Sequence, residues 1–169
     1  DVSDLAEEIG KNYGGWLESG RAACVVDGKW KSLCIGQAPT AWNYRVDMFE
    51  AAGLGAFPDS FDELLAAAKT LHAKGTPIGM SLGHAPGDGR STNYPVLWAF
   101  GGKEFEDDGK TVALDSPETV AAVEWYAEAY KYFIPGTTAW LDPDNNQAFL
   151  ASKISATVNV NTIYLAARK

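Results

Sequence analysis

Apolar positions recur at helical spacing most clearly after Pro58, where Phe61, Leu64, Leu65, Ala68 and Leu71 mark one face. Ser60 and Glu63 stand ahead of them at capping-box spacing, so each can satisfy an orphan donor of the first turn, and Gly75 stops the helix. A second helix opens at Ser116-Pro117-Glu118, with Ser116 as cap and Pro117 in the first helical position. Val120, Val123, Trp125, Tyr126 and Tyr130 line it, and Pro135-Gly136 ends it. Shorter helices are predicted within residues 1–20, over 46–52 before Gly53, over 93–100 before Gly101-Gly102, and through Phe149-Leu150 with Asp142 or Asp144 as cap. Elsewhere the pattern is that of strands. Residues 22–35 predict a hairpin turning at Asp27-Gly28, and 105–114 a second turning over Asp107–Lys110. Strands are also expected from Ala41, over 77–82 and from Ile154 to Val160, while the glycine-bearing stretch 83–91 predicts a flexible loop. Thr162 begins a further element. Strands alternating with helices predict an α/β architecture.

The 169 residues suffice for one domain or for one lobe of something larger, and a hydrophobic share of 46% is that of a chain with a packed core. A net charge of -8 without any Lys/Arg cluster argues against nucleic acid and against a basic membrane patch. The acidic start Asp1-Val2-Ser3-Asp4 has no apolar leader, so the sequence itself is silent on export. A two-residue turn at Asp27-Gly28 sets Val26 against Lys29 and Cys24 against Lys31, which puts Cys34 beyond the reach of Cys24. A longer loop would bring the two thiols together, so free cysteines and a bridge both stand. No further Cys or His pair completes a metal-ligand set.

Four stretches, taken in order and spacing, resemble the bacterial extracellular solute-binding proteins of ABC importers, family 1, in their sugar-binding branch. They are Asp27–Trp30 leading to Trp42–Leu54, then Phe57–Lys69, then Leu97–Gly102 with Leu114–Val120, and Gln147–Ala156. The family more often has Thr-Trp where this chain has Ser60-Phe61, and a Gly where it has Ser152. The resemblance implies a type II periplasmic binding protein-like lobe, incomplete. Residues 1–45 would be an N-terminal helix, hairpin and crossover, and 46–169 a second α/β lobe truncated at its C-terminal end. The opening of the first lobe and the C-terminal return are not matched. It further implies a periplasmic or extracellular setting, ABC permease subunits as partners of the full-length parent, solute held by lobe closure, no cofactor and no catalysis.

Sugar sites lay flat rings against the apolar faces of pyranoses and fix the hydroxyls with a few polar groups. With six Trp, seven Tyr and seven Phe, the chain has the rings. By family position, Trp42 with Asn43 and Tyr44 lies near the cleft; the competing reading is a ring that fills a hinge. Trp140, in the polar turn before Asp142, heads the candidates, and by family position its loop faces solute. Asn93 and Tyr94, at a helix entry, are cleft candidates, whereas Trp98 reads as core and Trp125 as packed core or lobe surface. Asn159 and Asn161, two apart on a strand, share one face, either a polar cleft wall or a solvent-facing side. His84 and Arg90 either contact solute or lie free on the surface.

Asp142, Asp144 and Asn146 start like a calcium loop, but Gln147 and Lys153 stand where Gly and Glu are required, so they read as a helix cap, with the Asp142 carboxylate as a candidate for solute hydroxyls. The loop 83–91 lacks nucleotide-binding spacing, and neither His72 nor His84 has a nucleophile motif beside it. Two alternatives to solute binding remain: a carbohydrate-active enzyme domain, whose paired carboxylates would meet only in the fold, and a unit without binding activity whose exposed apolar face self-associates.

Overall fold

The structure is a computed structural model and describes residues 1–36 and 38–168. Gln37 and Lys169, which fall in the two predicted segments, lie outside the described residues. The chain forms two compact units, Asp1–Pro39 and Thr40–Lys169.

In the first unit, helix α1 (Ser3–Tyr13) ends on Gly14, whose positive φ of 85° lets its amide reach back to the Gly10 carbonyl. Helix α2 (Glu18–Cys24) follows, then strands β1 (Val25–Val26) and β2 (Lys29–Trp30), paired antiparallel with Val26 opposite Lys29 as the turn chemistry predicts. Asp27 and Gly28 both take positive φ, the requirement of a two-residue turn that matches strand twist. The predicted hairpin is shorter than expected because residues 22–24 complete α2, whose Gly20 packs on the Cys34 side chain. Ala6, Cys24 and Trp30 form the small core, with the Trp16 ring 4.9 Å from that of Trp30. Cys24 and Cys34 are free thiols.

In the second unit, β3 (Ala41–Tyr44) pairs antiparallel with β4 (Ala156–Asn159), Ala41 lying opposite Asn159. Residues 77–79 run beside this pair: the Ser155 amide donates to the Pro77 carbonyl at 2.9 Å and the Gly79 amide to the Ala156 carbonyl at 3.0 Å. Helices α3 (Val46–Ala51), α4 (Phe61–Ala73), α5 (Asp88–Ala99), α6 (Pro117–Ala129), α7 (Asp144–Leu150) and α8 (Thr162–Ala167) complete the α/β unit. Ser60 and Ser116 accept from the Glu63 and Thr119 amides, both at 3.2 Å, as their spacing predicts. The core gathers Phe49, Leu64, Leu71, Ile78, Met80 and Val158 with Val96 and Trp125. Phe61 and Trp125 meet edge to face at 4.9 Å, and the Trp125 indole donates to the Phe61 carbonyl.

Several expectations are corrected. The predicted hairpin over 105–114 and the predicted strand over 77–82 form no strand among the described residues, and each is reduced to one isolated bridge, Phe105 with Val112 and Ile78 with Phe133. The stretch 83–91 is not a loop throughout: α5 starts at Asp88, five residues before the predicted start, because a carboxylate 54 residues away caps it. Trp98 is not core. It is 55% exposed, since the buried face of α5 is carried by Gly89, Thr92 and Val96. Among the described residues no helix is long and apolar enough to cross a membrane.

Candidate functional site

Three helix starts and one strand end meet in the second unit. Asn145, in the first turn of α7, is wholly buried; its Nδ2 donates to the Val158 carbonyl at 3.0 Å. Its Oδ1 accepts from Asn159 Nδ2 at 3.2 Å and from the Asn146 amide at 2.7 Å. Asn159, the last residue of β4, also donates to Asn146 Oδ1, and its own Oδ1 accepts from the Val160 amide and the Thr162 hydroxyl. These amides satisfy backbone groups that the strand end and the helix starts would leave unpaired. Asn159 is therefore a buried tie rather than part of an open polar wall. Asn161 is exposed at the entry to α8, past the end of β4, so the two do not share a strand face.

Asp142 Oδ1 accepts from the Asp88 amide at 2.9 Å and so caps α5, not α7 as predicted; Asp144 instead accepts from the Leu141 amide at 2.6 Å. The Asp88 carboxyl is pushed up to about 6, chiefly by burial and then by the charge of Asp142, while a hydrogen bond with Asn145 acts in the opposite sense. Its Oδ2 is buried with no partner among the described residues.

Trp140 lies over the segment 79–83. A Cβ on Gly83 would fall 2.2 Å from the Trp140 carbonyl oxygen, and one on Gly79 would fall 2.6 Å from the Trp140 ring, so only bare backbone fits under it. The half-buried ring packs with Ile134 against Phe149, Ile154 and Ile163. Beside this arrangement an open cavity of about 340 Å3 is lined by Gly83, Gly89, His84, Arg90, Asn93 and Tyr94. A second cavity of about 280 Å3, lined by Leu97, Leu114, Val123 and Tyr126, shares Asn93 and Tyr94 with the first and is largely apolar. The Tyr94 and Trp98 rings stack across one helical turn, 5.8 Å apart and 14° from parallel, and Glu104 accepts from the Trp98 indole at 2.8 Å.

The fold thus brings His84, Asn93 and Tyr94 together. It also joins Trp140 to Gly83 and Asp142 to Gly87, at either end of the loop that carries His84. Trp42 and Tyr44 stand apart, packed on Phe57 at 5.3 and 5.2 Å, with Trp42 on a separate cavity of about 280 Å3 beside Pro58 and Phe61. Asn43 donates to the Ala41 carbonyl at 3.2 Å. Asp88, Asn145 and Thr162 were not legible as partners of this site, because Asp88 and Asn145 meet across 57 residues and Asn146 and Thr162 across 16; the pair Asn145-Asn146 next to Asp142 was the one local sign. Among the described residues no group of three or more His, Cys, Asp or Glu is placed to hold a metal ion.

A family model described as bacterial extracellular solute-binding protein matches residues 1–169. A binding protein of Brucella abortus (strain 2308) is 30% identical over 148 residues, which cover 83% of this chain and 35% of that protein. A binding protein of Brucella suis biovar 1 (strain 1330) matches to the same extent, so the chain spans 35% of the length of these curated relatives. Among solved structures, maltose-bound MalE3 of T. maritima superposes with a TM-score of 0.77 at 25% identity, over 97% of this chain and 42% of that one. UgpB of Mycobacterium tuberculosis in complex with glycerophosphocholine gives a TM-score of 0.74 at 21% identity, over 98% and 42%. A laminaribiose-bound sugar transporter of Arthrobacter chlorophenolicus A6 gives 0.72 at 20%, over 96% and 42%. The last two likenesses speak for the fold alone.

Proposed function

The chain belongs to the bacterial extracellular solute-binding proteins, and from that premise we propose that it is a solute-holding part of the binding component of an ABC importer, acting in the periplasm or outside the cell on a carbohydrate. The observation that carries the reading is the cavity in which His84, Asn93 and Tyr94 converge over bare glycine backbone. The Tyr94 ring offers a stacking face, and Asn93 and His84 offer hydrogen bonds to hydroxyls. Trp140 and Asp142 hold the loop that forms this cavity, Asn159 fixes the helix starts behind it, and Asn161 is exposed to reach solute. Trp42, with Asn43 and Tyr44 on the same strand, supplies a further ring on its own cavity. Maltose in the T. maritima relative supports a sugar as solute. In the whole protein, solute favours a closed arrangement of two lobes that permease subunits then recognise. The exposed Leu114, Val120 and Val123 are the apolar surface through which the chain would self-associate.

One observation favours an enzyme instead: Asp88, near 6 and facing Asp142, has the look of a general acid beside a carboxylate. Two features weigh against it. Asp142 Oδ1 already holds the Asp88 amide, and Asp88 Oδ2 is buried away from any glycosidic oxygen.

Thermal melts with a panel of mono- and disaccharides test the proposal. A sugar at 100 times its Kd is expected to stabilise by ~2.7 kcal/mol, or about 5–10 °C for a domain of this size. No shift with any sugar removes the carbohydrate reading, and release of nitrophenol from aryl glycosides replaces it with the enzyme.

A further inference from the structure

The chain has four arginines. Arg45 pairs with Asp47, Arg21 lies over the Trp30 ring, and Arg168 lies over the Tyr164 ring. Arg90 alone among them has neither an ion pair nor a ring contact among the described residues, although the chain carries a net charge of -8. Its Nε donates to the Pro86 carbonyl at 2.9 Å, which fixes the guanidinium and leaves its two terminal nitrogens without a protein partner among the described residues. The side chain lines the same cavity as His84, Asn93 and Tyr94. Asp142 holds the Asp88 amide and Glu104 accepts from the Trp98 indole.

From this arrangement we infer that the solute is an acidic sugar, a hexuronate whose carboxylate is held end-on by the Arg90 fork while its ring lies on Tyr94 and its hydroxyls meet Asn93 and His84. The inference rests on the carbohydrate reading above and deepens it. A guanidinium presents two parallel N–H donors that match a carboxylate, and the exposed Arg90 brings such a pair to this cavity. The helix start itself offers little to an anion. The Asp88 amide is taken by Asp142, the Gly89 amide by the Ala85 carbonyl and the Ser91 amide by the Gly87 carbonyl, both at 3.1 Å. Binding of the acid group therefore falls to the Arg90 side chain. The cavity, about 340 Å3, is at the small end for ligand sites, which suits one pyranose ring. Gly89 cannot become larger without striking the Gly83 carbonyl oxygen, 2.8 Å from where its Cβ would stand, so the backbone that walls the cavity is closely packed on itself.

Calorimetric titration of the full chain with D-glucuronate, D-glucose and D-glucose 6-phosphate tests this. Glucuronate is expected to bind about 10- to 100-fold more tightly than glucose, the range for a charge-assisted pair of hydrogen bonds. Raising salt from 50 to 500 mM should weaken glucuronate binding and leave glucose binding unmoved. Arg90→Gln should bring the two affinities within about twofold of each other, and Arg90→Lys, which keeps the charge without the fork, should fall between. A melting curve for each variant separates loss of the fold from loss of the contact, and the salt comparison needs no variant. Equal affinity for glucuronate and glucose overturns the inference and leaves the carbohydrate reading intact. A preference for the phosphate ester, or a glucuronate preference that survives Arg90→Gln, also overturns it. Absence of binding by any sugar takes away the underlying reading and the inference with it.

Discussion

At the first turn of α5 the partly buried Asp88 carboxyl lies beside Asp142 and accepts one hydrogen bond from Asn145. Folding raises its pKa from an ordinary value of ~3.9 to about 6. A group raised in this way holds its proton more tightly in the folded chain. Its contribution to stability is therefore complete below pH ~4 and lost as pH rises through ~6. Asp88→Asn removes that titration. Its melting temperature relative to the unsubstituted protein is expected to climb between pH 4 and pH 6 and then level off, as thermal melts at unit pH intervals would reveal; a difference independent of pH would mean that Asp88 is not strained by burial and Asp142. Residue-level expectations met the structure unevenly. The turn residues Asp27 and Gly28 and the caps Ser60 and Ser116 were legible because each acts on backbone within three residues. Trp98 was not, since helical spacing leaves the choice of inner face to the elements packed against it.

At the scale of elements, the amide ladder of Asn145, Asn146 and Asn159 ties the strand end to α7 and α8. Asn145→Ala would leave the Val158 carbonyl and an Asn159 amide hydrogen without their partners in a buried setting. A loss of about 2–3 kcal/mol is expected, from one to two buried polar groups left unsatisfied. Urea denaturation would measure it, with an unchanged m-value if the unfolded reference stays the same. The early start of α5 belongs to the same scale. Residues 83–91 have the glycines and the Pro of a loop, and the helix wins there because Asp142 supplies the missing cap from another part of the chain. Pro95 within α5 is tolerated in the same unit where Val96 reaches the core.

The whole molecule divides after Pro39 into two units, and each core cluster draws on one of them alone: Ala6, Cys24 and Trp30 in the first, Phe49 through Val158 in the second. A chain starting at Thr40 is therefore expected to melt cooperatively, within about 5 °C of the full chain, a shift that for this size corresponds to ~1–2 kcal/mol. Loss of the cooperative transition in differential scanning calorimetry would show that the second core depends on the first unit. The chain covers 35% of the length of the curated relatives, and its part in import is a proposal that rests on family and site.

By itself the sequence determined the α/β class, most helix bounds, the hairpin register and the family, because these rest on periodicity, capping and turn chemistry that act within a few residues, and on the order of several such stretches. It named His84 from a loop and Asn93 and Tyr94 from a helix entry that the fold moves to Asp88; these three line one cavity. Tertiary structure alone decided which of the candidates stand together. The Asp142 cap on α5 and the burial of Asn159 depend on whether a partner 54 or 14 residues away comes within about 3 Å, the reach of a hydrogen bond, and no local pattern encodes that distance.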